Sequence, residues 1–188
     1  MSDLGMVHLI TSFVAIGAGG WVLLLPKGTR WHRTLGHVYA MSMVGVIATA
    51  FSIYRLTGRF GPFHIAAVVG GATLLAGLAS VLARRPKKSW IEAHAIWMSW
   101  SYIGLMAAFA AETLTRFIMP RVQVLLEGNE LWGAFWTSVG VASFGIAGIG
   151  ARLVKTRLPA AVAATPEAIR LERLRLRDVE SSKEGVPC

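Results

Sequence analysis

The chain has 188 residues, of which 54% are hydrophobic, and its mean hydropathy is +0.55. Its apolar runs carry almost no charge and are about 20 residues long, the length of helix that crosses ~30 Å of hydrocarbon. These features exclude a soluble domain. The formal net charge of +9 is then interpreted as a sign of membrane topology, and nucleic-acid binding is not expected.

Five membrane-spanning helices are predicted, because lipid offers the backbone no hydrogen-bond partner and each span must satisfy its own peptide groups. We expect the first to be a retained helix, since residues 1–6 contain no Lys or Arg and so lack the basic start of a secretory signal. Pro62 is predicted at the first position of the third helix, and Ser89 with Glu92 forms a predicted capping box for the fourth. The predicted spans are Leu4 to Leu25, a start between Thr29 and Leu35 to Tyr54, Pro62 to Ala83, Trp90 to Met119, and Leu131 to Leu153.

The fold class that follows is an all-α integral membrane protein with a four-helix core and a peripheral fifth helix. The predicted domains are a transmembrane domain, 1–157, and a cytoplasmic tail, 158–188. Hydrophobic residues such as Ile169 and Leu174 are interspersed with arginines in this tail. The pattern is compatible with a basic amphipathic helix on the membrane surface and equally with a solvated tail.

The basic residues distinguish the two ends of the bundle. We call the end where the chain starts side A and the opposite end side B. Side B has the larger share of Lys and Arg, which predicts that it is cytoplasmic, with the N-terminus outside and a location in the cell membrane. Side B carries Lys27, Arg30, Arg33, Arg84, Arg85, Lys87, Lys88, Arg152, Lys155 and Arg157, and side A carries Arg55, Arg59, Arg116 and Arg121.

The histidines divide between these two ends. The first and third helices enter from side A, which places His8 and His64 there, and the second and fourth enter from side B with His37 and His94. His32 lies about 140° from His37 around the helix and nearer water. Only one of these two can face the fourth helix, and His37 is expected to do so because its depth matches that of His94.

Two imidazoles on facing helices are the usual axial ligands of a b-type haem, whose potential depends on ligation, burial and hydrogen bonding. We therefore expect two haems, held by His8 with His64 and by His37 with His94. Arg33 and Arg55 are expected to pair with haem propionates. The same spacing is also compatible with histidines that only anchor spans at the interface, and Glu112 with Arg116 is most simply an interfacial ion pair. Zinc is disfavoured, because each end of the bundle holds only two of these paired histidines and few carboxylates.

Several motifs resemble those of a bacterial membrane-protein family known as domain of unknown function 2306. They are the early His8, Lys27-Gly28, the run His32-Arg33-Thr34-Leu35-Gly36-His37-Val38-Tyr39, the segment Gly61-Pro62-Phe63-His64, and His94 with Trp97-Met98 and Ser101-Tyr102. The resemblance covers roughly residues 6–118. It departs from the family at Ala95 and Trp100, where the family motif usually has arginine. The alternation of histidines over the helices is also similar in arrangement to two-haem transmembrane cytochromes b.

The expected function is transmembrane electron transfer through two b-type haems. A quinone, an ascorbate-like donor or ferric ion is the expected kind of redox partner besides the lipid bilayer, and an oxidoreductase activity is left open. The alternative is a non-redox membrane protein, either a small transporter or a structural subunit. A transporter would be expected to show an internal repeat with broken helices, and Gly70-Gly71 is the one candidate break.

Overall fold

The computed structural model describes residues 2–52, 60–85, 89–126, 128–166, 169–170, 172–174, 176–177 and 179. These residues form helices and turns, without a strand among them. The helices are α1 (Asp3–Leu24), α2 (Arg30–Ser52), α3 (Pro62–Ala83), α4 (Trp90–Phe117), α5 (Met119–Val122) and α6 (Gly128–Ala163).

Five of these helices are long and apolar enough to cross a membrane, namely all except the four-residue α5. The predicted fold class is confirmed. Helix α1 packs along α2, and α3 packs along α4, so that the core consists of two antiparallel hairpins. Helix α6 packs against α4 and lies outside this core.

The helix ends follow local sequence signals. Thr29 accepts the backbone N–H of His32 on its hydroxyl and so caps α2, while Gly28 before it has φ +79°, which glycine adopts without strain. Pro62 begins α3, as predicted. The predicted capping box is wrong in one respect. Ser89 is the residue before α4, but its side chain makes no capping hydrogen bond.

The predicted end of the last span is also wrong. Helix α6 does not end near Leu153 but continues through Pro159 to Ala163. Proline inside a helix removes one backbone hydrogen bond, but Pro159 lies close to the end of α6 and is followed by alanines, the best helix formers. The first residues of the predicted tail, 158–163, are therefore the last part of a helix.

The described tail residues 166, 169–170, 172–174, 176–177 and 179 are helical. At 100° per residue Leu176 lies within about 20° of Ile169, but Leu174 lies about 140° from Ile169. All three side chains are exposed. The apolar residues of this tail therefore do not share one narrow face.

The core is built where α1, α2, α3 and α4 meet. Its buried members are Ala15, Ala18, Tyr39, Ala40, Met43, Leu74 and Leu105. Small residues of α1 allow side chains of α2 and α4 to approach its backbone closely. A Cβ placed on Gly19 would stand only 2.5 Å from the Tyr102 ring and 2.9 Å from the Tyr39 ring. Aromatic rings therefore fill the space beside Gly19, which serves helix packing rather than a flat cofactor.

Candidate functional site

On side A, His8 connects three helices. Its Nδ1 lies 2.7 Å from the Thr49 hydroxyl on α2, and its Nε2 lies 3.7 Å from the Glu112 carboxylate on α4. Glu112 in turn accepts two hydrogen bonds from the Arg116 guanidinium, at 2.6 and 3.0 Å. The ion pair predicted from the i, i+4 spacing of Glu112 and Arg116 is thus present, and it extends across the bundle to α1.

The second side-A histidine, His64, lies at the start of α3. It is 4% exposed and stacks on the Phe60 ring at 5.0 Å between ring centroids, with the Phe51 ring at 6.3 Å. The backbone N–H of Gly61 donates to its Nδ1 at 3.1 Å. A neutral imidazole that accepts at Nδ1 carries its proton on Nε2.

On side B, His94 joins α4 to α3. Its Nδ1 lies 2.9 Å from the carbonyl oxygen of Gly77, which can only accept, so Nδ1 must carry the proton. In the neutral ring the lone pair is therefore on Nε2. A Cβ on Gly77 would stand 2.6 Å from Sδ of Met98, which shows that the two helices meet closely here because residue 77 is glycine.

Of the two histidines near the start of α2, His32 is the more buried. His32 is partly buried, whereas the expected ligand His37 is exposed and its Nδ1 donates to the carbonyl of Arg33 in its own helix at 2.6 Å. Helix α2 begins at Arg30, so His32 is already helical. Tyr39 and Met43, which are buried, lie within about 20° of His32 around the helix axis.

The ring of His32 is bound at one nitrogen only. It hydrogen-bonds the carbonyl of Val22 near the end of α1, while its buried Nδ1 has no hydrogen-bond partner among the described residues. The donor to Val22 is therefore Nε2, which leaves the lone pair of Nδ1 unused. The depth of each histidine could be estimated from the sequence, but the direction in which it faces depends on the rotation of α2 in the bundle.

Lys27 is a further cation at this end, and its role goes beyond the charge bias that predicts topology. Its Nζ donates to the carbonyls of Val22 and Leu23 at 2.8 Å each, at the end of α1. The lysine lies in the turn between α1 and α2, and burial lowers its pKa. A cation in this position satisfies carbonyls that the helix leaves unpaired and opposes its negative end.

Of the two arginines expected to bind propionates, Arg33 is exposed and Arg55 lies outside the described residues. Arg84, another cation of side B, is also exposed, and its guanidinium lies 5.9 Å from the ring centroid of Trp90.

The two ends of the bundle are separated by its packed core. Eighteen residues separate His94 from Glu112 on α4, which is about 27 Å of helix. Between them the Tyr39 hydroxyl hydrogen-bonds the Ser101 hydroxyl at 2.9 Å, and Tyr102 donates to the carbonyl of Ile16 at 3.2 Å. Polar groups therefore lie at both ends of α4, with the packed core between them.

A groove of about 370 Å³ lies on the outer side of α4, between α3 and α6. It is lined by Val69, Thr73, Trp97, Trp100, Ile103, Gly104, Ala107 and Ala147, and no histidine lines it. A smaller cavity near Leu114 and Phe135 also lacks histidine. Among the described residues no group of three His, Cys, Asp or Glu side chains could hold a metal ion. A haem with two axial imidazoles needs only two such ligands.

The fold and these polar ends define a helical membrane protein, whose described residues include five helices long and apolar enough to cross a membrane. Residues 5–146 match the model of the family described as "Predicted membrane protein (DUF2306)", and the chain belongs to this family. The family resemblance inferred from the His32–Tyr39 motif is thereby confirmed. No curated protein and no solved structure matches the chain.

Proposed function

We propose that the protein binds one b-type haem on side B, between His94 and His32, and transfers electrons within the membrane. The observation that carries the proposal is the hydrogen bond from Nδ1 of His94 to the carbonyl of Gly77. Histidines that bind metals commonly donate their other ring N–H to a carbonyl in this way, which fixes the tautomer and the ring orientation.

His32 fits the same role from the facing helix. Its buried Nδ1 has a lone pair and no hydrogen-bond partner among the described residues, and a buried polar atom without a partner is costly. An axial bond to iron would remove this cost. A haem iron held by two imidazoles supplies one-electron oxidation and reduction, and the protein tunes its potential through burial and hydrogen bonding.

Side A does not fit a second haem, and no haem is proposed there. His64 accepts the Gly61 N–H at Nδ1, so in the neutral ring Nε2 holds a proton instead of a lone pair. Nε2 of His8 lies opposite the Glu112 carboxylate. The expected pair of haems thus becomes one haem per chain, and the expected inner pair His37 with His94 becomes His32 with His94.

The redox partner and the orientation also belong to this proposal. Side B carries most of the Lys and Arg, which supports a cytoplasmic position in the cell membrane for this end. The groove beside Trp97 is almost wholly apolar, and Trp97 is less than one helical turn from His94. This groove supports a lipid-soluble quinone as the partner.

The experiment is to express the chain with ample haem and to measure its reduced-minus-oxidised spectrum and its haem content per chain. We expect a low-spin spectrum typical of two axial imidazoles and about one haem per chain. His94→Ala should abolish haem binding. His94→Gln should abolish it too, although glutamine retains an N–H that can donate to Gly77.

Far-UV circular dichroism and gel filtration of both variants show whether each is folded. A colourless wild-type protein would contradict the proposal and leave the non-redox alternative, a small transporter or a structural subunit. A folded His94→Gln protein that retains its haem would also contradict it.

A further inference from the structure

The polar cluster on side A has a different chemistry from the pair on side B. It consists of His8, Thr49, Glu112 and Arg116, which belong to three spans. His8 is partly buried, with 14% of its side chain exposed, and Glu112 is 38% exposed. Ionisable groups in membrane spans are costly and are a signal of function.

The hydrogen bonds around Thr49 favour one tautomer of His8. The Thr49 hydroxyl has one proton, and it can donate this proton to backbone carbonyls of its own helix, Gly45 at 2.7 Å and Val46 at 3.0 Å. The same oxygen lies 2.7 Å from Nδ1 of His8 and then accepts there, with a proton on Nδ1. In this arrangement the lone pair of the neutral His8 ring is on Nε2.

This lone pair faces a carboxylate. Nε2 of His8 is 3.7 Å from Oε2 of Glu112. Two electron-rich atoms in this position repel each other, whereas a proton on Nε2 converts the contact into an ion pair. Among the described residues, the charged groups that face this point are Glu112 and Arg116, both on α4, while α2 contributes the uncharged Thr49.

Arg116 gives Glu112 a permanent positive partner. Its guanidinium binds Oε1 through both Nε and Nη2, which leaves Oε2 directed to His8. The carboxylate is therefore shared between a permanent cation and a group that can gain or lose a proton. Arg116 is 53% exposed in its side chain, so the cluster reaches the surface of the bundle on side A.

We propose that His8, Thr49, Glu112 and Arg116 form a proton-binding site on side A. One proton, taken from water at that face, adds to Nε2 of His8 and is released again from the same atom. The loaded site contains an imidazolium between the Thr49 hydroxyl and the Glu112 carboxylate. It links α1 to α4, two helices that otherwise meet over few residues. The site is independent of haem on side B.

The test is ¹⁵N NMR of the full chain in lipid nanodiscs, with histidine labelled at both ring nitrogens and the His8 signal assigned by its loss in His8→Asn. In the wild type, proton gain should occur at Nε2 while Nδ1 stays protonated throughout. In Glu112→Gln the ratio of doubly to singly protonated His8 at a given pH should fall, since the carboxylate that favours the charged form of the ring is then absent.

Glu130→Gln is the matched control, because this exposed glutamate is also on side A, in the first turn of α6. It should leave the His8 ratio unchanged. Thr49→Val should remove the preference for a proton on Nδ1 in the neutral ring, which tests the site without changing a charge. An unchanged ratio in Glu112→Gln, or an equal change in Glu130→Gln, overturns the proposal.

Haem content separates this proposal from that of side B. His8→Asn should leave the haem content unchanged, and loss of haem in this variant would overturn the proton site by making His8 a ligand. A colourless protein whose His8 still responds to Glu112→Gln would contradict the haem proposal for side B and support the proton-binding site on side A.

Discussion

The hydroxyl groups of Tyr39 and Ser101 lie 2.9 Å apart, and both side chains are buried between α2 and α4. The Tyr39 ring also lies 6.3 Å from the Tyr102 ring, between centroids. Helices α2 and α4 are diagonal partners in the four-helix core, because α2 packs mainly against α1 and α4 packs mainly against α3 within that core. This hydrogen bond therefore joins the two hairpins at the centre of the bundle.

Tyr39→Phe and Ser101→Ala each remove one partner of this bond. We expect each to lower the free energy of unfolding by about 1 kcal/mol, since a buried hydroxyl then loses its partner. The coupling energy from the double mutant should be about 0.6 kcal/mol, the typical value for a hydrogen bond between membrane helices. Unfolding in mixed micelles, followed by circular dichroism, measures all four proteins. A coupling energy of zero would show that the bond contributes nothing to stability.

Gly77→Ala should separate α3 from α4. The added Cβ would stand 2.6 Å from Sδ of Met98 and 3.3 Å from its backbone nitrogen, so the helices must shift. We expect a loss of roughly 1–3 kcal/mol in the free energy of unfolding, as for other overpacked cores. We also expect a lower haem content, because the Gly77 carbonyl accepts the hydrogen bond from His94, the proposed ligand.

Gly71→Ala on the same helix is the matched control for this prediction. Its Cβ would meet only Cδ1 of Ile47, at an ordinary 3.7 Å. Alanine is the better helix former, so this change should be neutral or should stabilise the protein by up to about 1 kcal/mol. Equal losses in the two variants would show that α3 is sensitive to any added methyl group.

His32 and His37 should respond in opposite ways to replacement. His32→Ala should remove the haem, because the unpartnered Nδ1 of His32 is proposed as a ligand. His37→Ala should leave haem content and spectrum unchanged, since this ring is exposed and bonds only its own helix. The reverse result would mean that α2 is rotated by about 140° from the orientation described here.

The contrast between these two histidines shows what the sequence could predict. The number of spans and their approximate ends follow from hydropathy, because lipid leaves a long apolar segment no alternative to a helix. The rotation of α2 depends on packing against three other helices. The spacing of His32, Tyr39 and Met43 carries a signal for this rotation, since all three lie on one stripe of the helix. The depth of a histidine in the membrane, which favours His37, carries no information about rotation.

The side-A cluster shows the same limit more strongly. Glu112 and Arg116 are four residues apart, so their ion pair could be predicted from local spacing. His8 precedes Glu112 by more than a hundred residues, and no local pattern connects them. That contact follows only from the way in which α1 crosses α4.

The peripheral position of α6 can be tested at Gly150. A Cβ on this residue would stand 2.6 Å from the Ile103 side chain of α4, whereas a Cβ on Gly148 would meet nothing within 4 Å. We expect Gly150→Ala to increase proteolysis near α6 and to leave the haem spectrum intact, because α6 lies outside the core. Gly148→Ala should leave both unchanged. Loss of haem in Gly150→Ala would show that α6 supports side B directly.

The orientation of the chain in the membrane can be tested at the two ends of α6. Helix α6 has 36 residues, or about 54 Å, so it extends beyond ~30 Å of hydrocarbon. Arg152, Lys155 and Arg157 lie near its far end, and such charges are retained on the cytoplasmic side. In a Cys188→Ser background, Asn129→Cys should therefore react with a membrane-impermeant maleimide added to intact cells, and Thr156→Cys should react only after lysis. Both residues are exposed, so a lack of labelling at Thr156 cannot result from burial within the bundle. Labelling of Thr156→Cys in intact cells, with Asn129→Cys protected, would place side B outside and move the proposed haem to the outer face.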